Sequence, residues 1–176
     1  MKSNNMREFF NQDMMVASLI GSSLDFQTFY TLPLVADLDE KDAMVLFSCM
    51  TKHTFPEGKI IYHSGEPSVG KMYLILQGKV QVNNESGYKF RCLRQGDVFG
   101  LFSFLDESRT HSATLVVEKE LTVLTLDRAY FDLIAVEEPK LGHELMRFMF
   151  RLLSKKALEL EVEYAHIHNF AFGGKM

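Results

Sequence analysis

Cysteine is scarce in this chain: Cys49 and Cys92 lie far apart and form no Cys-x-x-Cys. That excludes a disulfide framework, and the two thiols read as small buried hydrophobes of a protein kept in a reducing compartment, the cytoplasm. Long apolar runs are missing too. The segment MMVASLIG, Met14 to Gly21, falls far short of the roughly 20 residues a spanning helix needs. Glu8 and Asp13 precede it where a signal peptide would be basic. Basic charge is in deficit: 19 Lys and Arg against 23 Asp and Glu leave a net charge of −4, the wrong sign for a general nucleic-acid surface. Enzyme signatures are absent as well. There is no Gly-x-Ser-x-Gly, and SGEPSVG is too short for a P-loop. The one His-x-His pair, His166 and His168, falls in a helical pattern where residues two apart do not share a face. His53 and His63 have no matching carboxylate, so neither a metal nor a catalytic centre is expected.

What is present falls into three parts. Met6, Phe10, Met14 and Ala17 share a helical face that ends at Gly21. An aromatic connector, LDFQTFYTLPLV, follows it. A second helix, DLDEKDAMVLFSCM, takes Asp37 or Asp39 as N-cap and has Asp42 in its first turn. After Pro56 the period becomes that of strands. KIIYHSG, KMYLILQGKVQVN, YKFRCLR, ATLVVE and LTVLTLD are separated by turn residues, with LILQGKVQV reading as two strands about a turn at Gln77 and Gly78. Strands at this density with no helices between them form an antiparallel sandwich or barrel.

From RAYFDLI onward the helical period returns and runs from Pro139 to about His168. About 30 residues make a helix of roughly 45 Å, against a radius of gyration near 16 Å for a compact chain of this size. Such a helix must project or find a partner. Leu141, Leu145, Phe148 and Leu152 form a face suited to the barrel. Met146, Phe150, Leu153, Ala157, Leu160, Tyr164 and Ile167 follow a 4-3-4-3 spacing, a heptad seam that predicts a coiled-coil-like homodimer, parallel or antiparallel. Arg147, Arg151, Lys155 and Lys156 precede Glu159, Glu161 and Glu163, an order that opposes the helix dipole, so packing must supply the stability.

The sequence PEGKIIYHSGEPSVGKMYLILQGKVQV, with turn glycines Gly58, Gly65 and Gly78, then GDVFG and SAT, resembles the cyclic-nucleotide-binding domain of the catabolite-activator and protein-kinase regulatory-subunit families. The resemblance covers about Leu34 to His168. It implies a mainly β fold: an eight-strand-like antiparallel jelly roll (double-stranded β-helix) flanked by helices. The expected divisions are an N-terminal helical extension over 1–36, the roll over 37–136, a long dimerisation helix over 137–170 and a tail over 171–176. The helix-turn-helix of the DNA-binding relatives has no room in NFAFGGKM, so DNA is not an expected partner.

The resemblance also places a phosphate-binding cassette on Phe99, Gly100, Leu101, Phe102, Ser103, Arg109, Thr110, His111 and Ser112. A cyclic nucleotide phosphate in an apolar barrel needs backbone N–H groups, close approach at a glycine and a guanidinium fork. Gly100 is in place. The family's ribose-binding Glu falls on Leu101 and its Arg on His111. Arg109 could swing in as a substitute. His111 could donate when protonated, or the hydroxyls of Ser103, Thr110 and Ser112 could take another ligand. Alternatively Leu101 and Phe102 plug the pocket. The expectation is a non-enzymatic regulatory module binding cyclic AMP or cyclic GMP weakly or atypically and signalling through its dimer helix. The alternative is a ligand-free dimeric scaffold, whose aromatics Phe9, Phe10, Phe26, Phe29 and Tyr30 either meet a protein partner or pack onto the outside of the barrel.

Overall fold

The computed structural model describes residues 23–36, 38–106 and 108–172. The helix expected over Met6–Gly21 and the aromatics Phe9 and Phe10 lie outside them, as does Asp37. Within the connector, Leu24–Tyr30 is itself a helix, α1. The Ser23 side chain caps it by accepting from the Phe26 N–H at 3.1 Å. Its face carries Phe26 and Phe29, both 0% exposed, which meet Phe47 of α2 (Glu40–Ser48) at ring-centroid distances of 5.5 and 5.4 Å. Burial of each ring stabilises the fold by about 1.5–3 kcal/mol. These two rings are therefore core residues and cannot meet a partner, which corrects that part of the expected interaction surface. Asp39 is the N-cap of α2, accepting from the Asp42 N–H at 2.8 Å.

Six strands follow: β1 (Thr51–Phe55), β2 (Ile60–Tyr62), β3 (Lys71–Asn83), β4 (Lys89–Leu93), β5 (Val98–Phe99) and β6 (Thr114–Asp127). They form an antiparallel jelly roll in the order β1-β6-β3-β4, with β2 added to β6 and β5 to β3. The expected reversal at Gln77 and Gly78 does not occur, nor does a break between ATLVVE and LTVLTLD. Each pair of short runs is one long strand. Both halves of β3 pair with β6, so the two strands bend together across register shifts between Ile75 and Val80 instead of turning back. Gly78 permits the bend. At φ 100° a Cβ there would lie 2.2 Å from the Glu120 carbonyl oxygen.

Alternation along β3 splits the core in two. Met72, Leu74 and Leu76 face the helices with Leu124 and Leu126, and Tyr73 and Ile75 face the interior with Val117, Leu121 and Val123. Helix α3 (Leu101–Leu105) follows β5, and α4 (Arg128–Glu137) leads into α5, Pro139–Phe172, 34 residues long and longer than the spacing suggested. Leu145, Phe148 and Leu152 of α5 are buried on the helix-side core as expected, joined by Met149. Cys49 is buried there too, and burial pushes its thiol up to about 11.

Candidate functional site

The turn from β5 into α3 builds the site. Gly100 sits at φ 74°, and a Cβ on it would meet the Lys71 carbonyl oxygen at 2.5 Å, so only glycine fits between β3 and the start of α3. Phe99, immediately before it, stacks on Tyr73 at 4.6 Å and 7°. Farther along, the loop that returns to β6 is held by backbone bonds to the 65–68 turn. The Gly65 N–H donates to the His111 carbonyl at 2.7 Å, the His111 N–H to Glu66 at 2.9 Å, and the Ser68 N–H to Arg109 at 3.2 Å.

All nine cassette residues named from the sequence border one cavity of about 260 Å³ inside the roll, near the small end of ligand pockets. Tyr62, Val82, Leu93, Val98, Ala113 and Leu115 supply its apolar wall. Leu101 is 3% exposed and lines the wall without filling the space, while Phe102 is about half exposed. Arg109 and His111 do reach the same cavity, as their spacing in an extended loop suggested. The Arg109 guanidinium lies 6.0 Å from the Phe102 ring centroid. A larger groove, about 670 Å³, runs outside the barrel between Pro33 and Leu34 and the α5 residues Arg151, Leu158 and Val162. It contains none of the cassette residues.

His111 is buried and stacked flat on Tyr62, ring centroids 3.6 Å apart at 8°. Its Nδ1 is 3.4 Å from the Ser103 Oγ, and its buried Nε2 has no hydrogen-bond partner among the described residues. Burial pushes its pKa below the ordinary 6.5, with the Glu66 charge opposing. The protonated donor form is thus disfavoured. The same burial raises Tyr62 above its usual range, so that face of the cavity is neutral. Positive charge sits instead at the rim, on Arg91 of β4, Arg109 and Lys156 of α5. Arg91 and Lys156 were not picked out from the sequence. Lys156 was visible only as part of a basic block, and nothing local shows that it and Arg91 border one cavity.

The cassette is also wired to the helices. Arg128, at the start of α4, donates through Nη1 to the carbonyls of Phe104 and Leu105 at 2.9 and 3.3 Å, and pairs with Asp132 at 2.9 Å. Phe104 is fully buried and meets Phe131 edge-on at 5.7 Å. At the next joint Gly142 of α5 comes so close to α4 that a Cβ would lie 2.6 Å from the Ala135 Cα. Movement of α3 would therefore be felt by α4 and the base of α5.

A jelly roll with a glycine-led turn and a cavity beneath it is the architecture that the sequence motifs led one to expect. Residues 52–137 match the model of the cyclic nucleotide-binding domain, the family whose motifs the sequence carries. The chain is similar to the cyclic AMP receptor protein of Thermus thermophilus, 28% identical over 134 residues, covering 74% of this chain and 61% of that protein. It thus spans about three fifths of that relative's length. Its fold is also that of a cyclic nucleotide-binding domain from Methylobacillus flagellatus (TM-score 0.64, 21% identity, 82% of this chain and 81% of that one). The regulatory subunit of a cAMP-independent protein kinase A from Trypanosoma cruzi, bound to guanosine, has the fold too (TM-score 0.61, 21% identity, 94% and 56%). No helix among the described residues is long and apolar enough to cross a membrane.

Proposed function

We propose that this chain is a non-enzymatic, cytoplasmic regulatory module. A small anionic ligand of cyclic-nucleotide type enters the cavity lined by Phe99–Ser112, and occupancy is passed through Arg128 and Phe131 to α5, through which two copies pair. The observation that carries the reading is the cavity of about 260 Å³ with its unpartnered, buried His111 Nε2 and its rim of Arg91, Arg109 and Lys156. With Leu101 and His111 in place of a carboxylate and a guanidinium, the grip on the anion shifts from the cassette floor to this rim. Arg109 is the natural substitute for the fork, since it already stands on the cassette. The seam residues Met146, Phe150, Ala157, Leu160, Tyr164 and Ile167 are exposed, which leaves them free for a second copy. Leu153 packs in part against the helix-side core.

Calorimetric titration with cyclic AMP, cyclic GMP and guanosine at pH 6 and pH 8 tests this. The expected result is saturable binding of a cyclic nucleotide, weaker than micromolar, at both pH values. Arg109→Ala should weaken it about tenfold or more, the contribution of one charge-assisted hydrogen bond. Heat from no nucleotide up to millimolar concentration favours the ligand-free scaffold. Heat from guanosine alone shows a neutral nucleoside site and removes the anionic half of the proposal.

A further inference from the structure

Arg91 and Lys156 come from elements far apart in sequence, yet they meet on a single oxygen. Glu159 Oε2 lies 2.7 Å from the Lys156 Nζ and 3.5 Å from the Arg91 Nη2. Arg91 Nη1 also stands 3.7 Å from Glu163 Oε1. A lysine and a glutamate three apart on a helix are an ordinary surface pair. Arg91 is different, because it reaches from the sheet to α5. The Lys156 side chain is only 17% exposed. Two cations brought onto one oxygen repel each other unless an anion lies between them, and here that anion is a carboxylate of the helix. The same two cations border the cavity, whereas Glu159 and Glu163 stand outside it. The hydrogen bond from Lys156, with the positive charges of Lys156, Arg91 and Lys155 around it, holds the Glu159 carboxyl below its usual range against the opposing effect of burial, so it remains a full anion through neutral pH.

We propose that Arg91 and Lys156 form a phosphoryl-binding site at the mouth of the cavity, and that Glu159 and Glu163 compete for it as an internal stand-in. A ligand phosphoryl group offers the Arg91 fork two oxygens of one group, where the helix gives it single oxygens of Glu159 and Glu163 at 3.5 and 3.7 Å. When it takes Arg91 and Lys156, Glu159 and Glu163 lose their partner on the sheet and the stretch of α5 beyond Leu153 loosens from β4. Binding and release are then linked reciprocally: whatever frees the glutamates tightens the ligand, and the ligand frees the glutamates. The nucleotide form of this inference rests on the reading above, but the anion site itself does not.

Inorganic pyrophosphate, which carries phosphoryl charge without base or ribose, separates the two. Amide hydrogen exchange across residues 157–163 is measured with and without it. In the unmodified chain pyrophosphate speeds exchange by roughly fivefold or more, the low end of measured site-to-site coupling. Arg91→Gln exchanges fast from the start and does not respond. No response of the unmodified chain, or an equal response in Arg91→Gln, overturns the site. A pyrophosphate response without cyclic AMP binding keeps the site and removes the nucleotide reading. Where cyclic AMP does bind, Glu159→Gln with Glu163→Gln tightens its Kd about fivefold or more. An unchanged or weaker Kd in that variant overturns the competition and leaves the nucleotide reading standing.

Discussion

Restoring the two family side chains should convert the cavity into a tight cyclic AMP site. The variant is Leu101→Glu with His111→Arg, two positions that line the same cavity on either side of Ser103. A hydrogen bond involving a charged group contributes about 1.5–3 kcal/mol. The two new interactions, a carboxylate on the ribose hydroxyl and a guanidinium on the phosphate, then amount to about 3–6 kcal/mol. At about 1.4 kcal/mol per factor of ten, Kd falls by about 10²–10⁴-fold. Stability moves the other way without ligand. Leu101 gives up a fully buried side chain, about 1.5–3 kcal/mol, and His111 gives up its stack on Tyr62, about 0.5–1.5 kcal/mol. The double variant should thus melt lower than the parent alone and regain about 2.7 kcal/mol at a nucleotide concentration a hundredfold above Kd. Calorimetry at pH 8 with a thermal melt in parallel reads both. A double variant that folds by circular dichroism and yet binds cyclic AMP no tighter than the parent refutes the assignment of these two positions.

Further outcomes follow from other residues. His111 has a folded pKa below its unfolded 6.5, so the unfolded chain binds the extra proton first. Stability should fall as pH drops below 6.5, by at most about 1.4 kcal/mol per pH unit, and His111→Asn should flatten that slope in urea unfolding; identical slopes contradict the buried neutral ring. Gly78→Ala places a Cβ against Glu120 and Leu121 at φ 100° and should cost about 2–5 kcal/mol. Gly58→Ala, with nothing within 4 Å, should cost only about 1–2 kcal/mol; equal losses contradict the close approach of β3 to β6. Leu160→Glu with Ile167→Glu alters two exposed seam positions and should halve the mass seen by light scattering while the circular dichroism stays the same. An unchanged mass removes the seam.

Much of the roll could be read in the sequence because its signals are local. Turn glycines such as Gly65 and Gly100 need positive φ, and Met72 to Leu76 carry strand residues buried on both faces of a covered sheet. The same locality misled at Gly78, where a positive φ serves a bend as well as a reversal and only the shared partner β6 decides between them. Phe26 and Phe29 read equally as a partner surface or as packing residues, because nothing nearby announces Phe47 as their neighbour. That residues from Gly100 to Ser112 lie together was legible, but the cations that join them around the cavity were not. Arg91 and Lys156 converge on Glu159 from a strand and a helix far apart in the chain, a tertiary fact with no periodic signature.

The proposed function requires that the cavity beside Gly100 take a nucleotide-type ligand. Amide chemical shifts followed by NMR during a cyclic AMP titration test it most directly. Gly100, Phe102, His111 and Ser112 should move together and saturate, while Gly58 and Gly87, turn glycines outside that cavity's lining, stay fixed. Shifts absent up to millimolar nucleotide, or confined to residues away from this cavity, contradict it.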